Sequence, residues 1–204
     1  MSTLRVLIAE DEGFVAAGLQ AQLKALGHQV VGLARDGQEA VALAEALLPD
    51  LVIMDIRLPR LDGLEAARRI LQGCRVPIIF VSAYSNVALA QDASAVGGLA
   101  YLVKPVNQHD LLPAIEVALG RFREAEALRQ SVQQLEQAIE LRKRVGQAKG
   151  ILMRRLQITE PEAMRLQQRS RQTRKPLGEV AGEVIEADTF FARWESGQDS
   201  SSPR

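Results

Sequence analysis

Glu10 and Asp11, Asp55, Ser82 and Lys104 each fall at the end of a short apolar run: LRVLIA, DLVIMD, VPIIFVSA and GLAYLVKP in turn. Gathered in one crevice, three carboxylates repel one another unless a hard cation binds among them. An all-oxygen donor set with positions left for water and phosphate suits Mg²⁺. Asp55 is then a candidate nucleophile toward a phosphoryl group, giving an acyl phosphate. Lys104 would pair with the phosphoryl oxygens, and the Ser82 hydroxyl would donate to another. Rate enhancement would come from positioning and charge neutralisation. Alone, each residue has an ordinary role: a strand-end aspartate caps a helix, and a lysine before proline is a surface charge. The joint placement is what points to chemistry.

Those positions matter only if the runs are neighbouring strands. Five such runs (4–9, 29–34, 50–55, 76–83 and 98–105) alternate with five helical patterns. Their continuous apolar character predicts a five-stranded parallel, doubly wound α/β sheet covered on both faces. In such a sheet the working crevice lies at the C-terminal strand ends.

The segments IAEDE, LVIMDIRLPRLDGLEAARRI, VSAYS and YLVKP resemble the receiver domain of two-component response regulators, over residues 4 to about 120. The resemblance implies a flavodoxin-like fold with Asp55 as phosphoacceptor. It implies Mg²⁺ held by Glu10, Asp11, Asp55 and the backbone carbonyl of Arg57. Ser82 and Tyr101 would form the switch pair, Lys104 would bind phosphate, and the peptide before Pro105 would be cis. A sensor histidine kinase would be the phosphodonor. Arg57 and Tyr84 are bulky and flank the path of a hydrolytic water, so slow self-dephosphorylation is expected. Dehalogenase-type phosphohydrolases also use a strand-end aspartate, but they need a second aspartate two residues on. Arg57 stands there instead, and the chain is not expected to be an enzyme.

Composition agrees with a soluble chain: 47% apolar and 25% charged residues, with no apolar run long enough to span a membrane. A single cysteine, Cys74, excludes an internal disulfide framework, and no secretory leader pattern is present, so a cytoplasmic protein is expected. The zero net charge hides an asymmetry: residues 1–120 carry 9 basic and 13 acidic residues, whereas 142–175 carry 11 basic and 2 acidic. The second half thus presents a footprint for a polyanion.

From Asp110 to Leu156 the only proline is Pro113, in a first helical turn where it is tolerated. Leu128, Val132, Leu135 and Ile139 repeat at four, three and four residues, with polar residues between. Such spacing predicts a coiled-coil stalk over 121–141 and a dimer seam; a homodimer on phosphorylation is the expected partner state, with release of the output bundle by phosphorylation the alternative. A three-helix bundle is expected over 142–190, its second helix opened by Thr159 as N-cap and its third by PLGEVAGEVIEAD. The terminal segment 191–204, rich in serine, is expected to be mostly disordered.

GQAKGILM, TEPEAMRLQQRS and LGEVAGEVI, within about 135–190, resemble the ANTAR output domain of antitermination regulators. That resemblance implies binding of tandem RNA stem-loops with hexanucleotide loops, and transcription antitermination. Lys149, Arg154, Arg165 and Arg169 are the candidate phosphate contacts. A DNA-binding helix-turn-helix or a protein-interaction bundle are the alternatives. A short glycine-containing turn, as in a helix-turn-helix, is missing from LQITEPEA, so DNA is not the expected target. Phe190, Phe191 and Trp194 come after the basic segment, so stacking of bases on aromatic rings is not expected.

Overall fold

The structure is a computed structural model, describing residues 3–83 and 87–195. The chain folds as two units, Met1–Ala127 and Leu128–Arg204.

The first unit alternates β1 (Arg5–Ala9), α1 (Gly13–Ala25), β2 (Gln29–Ala34), α2 (Gly37–Leu47), β3 (Leu51–Asp55), α3 (Gly63–Gly73), β4 (Ile78–Ser82), α4 (Val87–Val96) and β5 (Ala100–Val103). Helix α5 (Gln108–Leu156) follows. All strand pairs are parallel, in the order β2-β1-β3-β4-β5. The order reverses between β1 and β3, and the crevice of a doubly wound sheet opens at such a reversal.

Alternation along the buried strands sends side chains to both faces. Leu7, Val52, Met54, Ile78 and Phe80 pack with Ala40 and Ala44 of α2 and Ala66, Ala67 and Ile70 of α3. Val6, Ile8, Ile53, Ile79 and Val81 pack with Leu19 and Leu23 of α1 and Leu111 and Ile115 of α5. Both faces exclude water, which explains why these strands read as unbroken apolar runs.

Two glycines set the loop beyond β3. A Cβ on Gly63 would lie 2.0 Å from the carbonyl oxygen of Asp55, and one on Gly37 would lie 2.0 Å from that of Leu61. Neither position has room for a side chain. Asp36, fully buried, caps α2 by accepting from the Gln38 and Glu39 amides at 2.8 and 2.9 Å, and it pairs with Arg60. Asp62 caps α3 through the Glu65 amide at 2.9 Å.

In the second unit α5 ends at Leu156; α6 (Glu160–Ala163), α7 (Arg165–Thr173) and α8 (Leu177–Glu195) follow. The segment expected as one helix from Thr159 is interrupted at Met164. At its start the Glu162 carboxylate accepts from the Thr159 amide and hydroxyl, both at 2.9 Å, as in a capping box. Ala148 of α5, Leu166 of α7 and Val180 and Ala181 of α8 form the small core, with Val145, Leu152, Leu177, Val184 and Ile185 around it.

Helix α5 runs unbroken from Gln108 to Leu156, the stretch that the near-absence of proline from Asp110 to Leu156 marks as helical. The expected tail over 191–204 begins later, because α8 continues to Glu195; residues 196–204 lie outside the described residues. No described helix is long and apolar enough to cross a membrane.

Candidate functional site

The C-terminal ends of β1, β3, β4 and β5 converge. Register places Ala9 beside Met54, Asp55 beside Val81 and Ser82 beside Val103. Glu10, Asp55 and Ser82 therefore sit side by side, and all three are buried. One carboxylate oxygen from each of Glu10, Asp11 and Asp55 lies within 4.8 Å of the others.

Lys104 enters from the end of β5. Its ammonium donates to Asp55 Oδ2 at 2.5 Å and to Glu10 Oε1 at 2.9 Å, with Glu12 Oε1 at 3.8 Å. The Arg57 amide donates to Asp55 Oδ1 at 2.9 Å, so both oxygens of this aspartate are held. The Lys104 amide donates to the Ser82 carbonyl at 2.8 Å. The Lys104–Pro105 peptide is cis. Tyr101 of β5 is partly buried against the core.

Burial raises the Glu10 pKa, the Asp55 charge adds to that, and Lys104 opposes it. For Lys104 burial acts downward, but hydrogen bonds to Asp55 and Glu10 outweigh it and raise its pKa. The lysine therefore stays charged among the carboxylates. Glu10, Asp11 and Asp55 supply hard oxygen donors only, the set that a small divalent cation prefers. A cation there would add to the offset of their repulsion that Lys104 provides. Tyr84 lies outside the described residues.

The candidate basic residues do not form one cluster. Arg165 and Arg169, one turn apart on α7, share a groove with Leu152, Leu156 and Ile158. Lys149 lines a different groove, with Leu141, Val145 and Met153. Arg154 donates to Asp188 Oδ2 and Arg155 to Asp188 Oδ1, each at 2.8 Å. Lys175 pairs with Glu183. Part of the positive charge counted in the sequence is thus matched within the fold by acids of α8. Leu128, Val132, Leu135 and Ile139 are all exposed in the single chain.

Two family models match the chain: the response regulator receiver domain over residues 6–116 and the ANTAR domain over 133–185. The chain belongs to the ANTAR response regulators. It is 45% identical to the transcriptional regulatory protein PdtaR of Mycobacterium tuberculosis H37Rv, over 89% of this chain and 88% of that one. The receiver domain of a modulated diguanylate cyclase from Desulfovibrio desulfuricans G20 superposes with a TM-score of 0.56 at 40% identity, covering 61% of this chain and 99% of that one. The receiver domain of the response regulator NarL from M. tuberculosis does so with a TM-score of 0.55 at 26% identity, covering 60% and 98%. Both ANTAR and receiver halves of this regulator are therefore assigned, and the sheet described above is the receiver fold.

Sequence reasoning missed the side-chain tie between α5 and α8. Phe191 lies beside Arg155, whose guanidinium carbon is 6.0 Å from the ring centroid. No local pattern signals that contact, since the two residues come from different helices.

Proposed function

We infer that this ANTAR response regulator is switched by phosphorylation of Asp55 and that its output half binds RNA stem-loops to promote antitermination. The observation that carries the first half is the hold on Asp55: a buried carboxylate, with Lys104 at 2.5 Å and two further carboxylates beside it. An Asp55 carboxylate oxygen attacks phosphorus of a phosphohistidine on a sensor kinase. The phosphorus–nitrogen bond breaks, histidine leaves, and an acyl phosphate remains on Asp55. Glu10, Asp11, Asp55 and the Arg57 carbonyl would hold Mg²⁺, which supplies charge neutralisation at the transferring group. Lys104, already among the carboxylates, is placed to follow the new phosphoryl oxygens. Ser82 and Tyr101, on the adjacent strands, are the proposed switch pair.

For the output, support comes from the ANTAR match and from the 11 basic against 2 acidic residues over 142–175. Arg165 and Arg169 are the leading phosphate contacts, because they share one exposed face; Lys149 and Arg154 would act from other faces. The seam of Leu128, Val132, Leu135 and Ile139 would pair two copies, each burying residues that one chain leaves exposed. Two copies would offer two output units to tandem hairpins, so the second contact becomes intramolecular.

The test is a mass and binding experiment on the whole chain. Acetyl phosphate with Mg²⁺ should add one phosphoryl group, and Asp55→Asn or chelation should abolish it. The phosphorylated protein should bind tandem hairpin RNA more tightly than duplex DNA of equal length. Equal affinity for both would move the output to the DNA alternative.

A further inference from the structure

Beyond Phe122 the chain has three aromatic residues, Phe190, Phe191 and Trp194, all in the last turns of α8. The core of the output unit uses none of them; it is built from alanine, leucine, valine and isoleucine. Instead Phe190, Phe191 and Trp194 are 58%, 54% and 68% exposed. They also lie past residue 185, where the ANTAR match ends. Folding of this unit therefore does not account for three large rings at one helix end.

Their surroundings indicate what would cover them. Phe190 and Phe191 meet edge to face, with centroids 5.8 Å apart. The Arg155 guanidinium lies 6.0 Å from the Phe191 centroid. Asp188, one turn before Phe191, accepts from Arg154 and Arg155 at 2.8 Å each. One carboxylate thus holds two guanidinium groups, and that of Arg155 lies beside Phe191. An apolar protein surface would have to desolvate those arginines. A nucleobase joined to its phosphate meets both features: a π face for the rings and an anion for the guanidinium groups.

We propose that the end of α8, where Phe191 and Trp194 are exposed and Arg155 lies beside Phe191, is a stacking platform for unpaired bases of an RNA loop. This rests on the RNA-binding reading above and adds the part of the RNA that is contacted. In it, the basic residues of α7 hold the phosphate backbone while the aromatic end takes bases out of the loop. Arg154, a candidate phosphate contact from sequence, is linked to Arg155 through the shared Asp188 carboxylate.

Trp194 is the only tryptophan, so it reports on this face directly. The phosphorylated full-length chain is titrated with tandem hairpin RNA carrying six-nucleotide loops. Binding is followed by anisotropy of labelled RNA and, separately, by Trp194 emission. Emission should be quenched in step with binding. Phe191→Ala should weaken binding about tenfold, the loss of one stacked base, while Phe191→Tyr should bind like wild type. Because no phosphate contact is removed, the salt slope of Phe191→Ala should stay that of wild type. Abasic loops on intact stems should remove both the quench and the difference between the two proteins. Equal affinity of wild type and Phe191→Ala, or binding without a quench, overturns the platform and leaves RNA binding standing. Emission that changes with protein concentration without RNA puts a second copy on this face and also overturns it. If no RNA is bound by anisotropy, both readings fall.

Discussion

Lys104 is the residue on which the receiver site turns before any cation arrives. Its side chain is 12% exposed, against 1% for Glu10 and 8% for Asp55, so these charges are largely removed from water. Removing one partner of such a group leaves the others uncompensated, at a cost of about 3–5 kcal/mol. Lys104→Met should accordingly lower stability by about 3 kcal/mol in chelator, measured by urea denaturation. Mg²⁺ should restore more stability to this variant than to wild type, because the cation then supplies the compensation that Lys104 gave. An equal effect of Mg²⁺ on both proteins would separate Lys104 from the acidic cluster. The convergence of these residues was legible in sequence because each ends an apolar run, and parallel strands bring such ends together. The hydrogen bond from the Arg57 amide to Asp55 was not, because it depends on the turn taken after β3.

Among the elements, α5 and α8 carry the clearest expectations. Val132 and Leu135 stand exposed on α5, and replacing both with lysine places like charges across any paired seam. Phosphorylated wild type should sediment as a dimer and the double variant as a monomer; identical sedimentation would make the seam a solvated face. The tie between α5 and α8 adds a pH dependence. Hydrogen bonding from Arg155, then Arg154, holds the Asp188 carboxyl below its ordinary range. A carboxyl whose folded pKa is depressed stabilises the fold above its unfolded value, near 4, and loses that contribution as pH falls through the folded pKa. Thermal unfolding of wild type should thus lose stability on acidification below about pH 4 more steeply than Asp188→Asn. Parallel acid limbs would mean that Asp188 contributes nothing. The strands and their order of appearance could be read from apolar runs alone, and the extent of α5 from the proline-free stretch up to Leu156, but the end of α8 could not. Helical propensity continues through Phe190 without a capping signal, and only packing decides where such a helix ends.

At the scale of the whole molecule, charge is divided rather than absent. Residues 1–120 carry a net of four negative charges and 142–175 a net of nine positive. RNA affinity should fall steeply as salt rises, since each phosphate contact releases counterions. Arg165→Ala should flatten the plot of log affinity against log salt by about one unit. An unchanged slope would remove Arg165 from the contact set. The glycines divide the chain in another way, in what its sequence is free to become. Gly37 and Gly63 offer no side chain for chemistry, yet any side chain there collides with the backbone of Leu61 or Asp55. In a survey of all single substitutions they should be as closed as Asp55, the proposed phosphoacceptor, for a steric reason that no functional role would reveal. Gly146 and Gly150 have nothing within 4 Å of where a Cβ would lie, so the isolated chain leaves them open to drift. If alanine at those two helical positions is tolerated in the purified protein but lost under selection for function, the constraint comes from a molecule that arrives there, not from the fold.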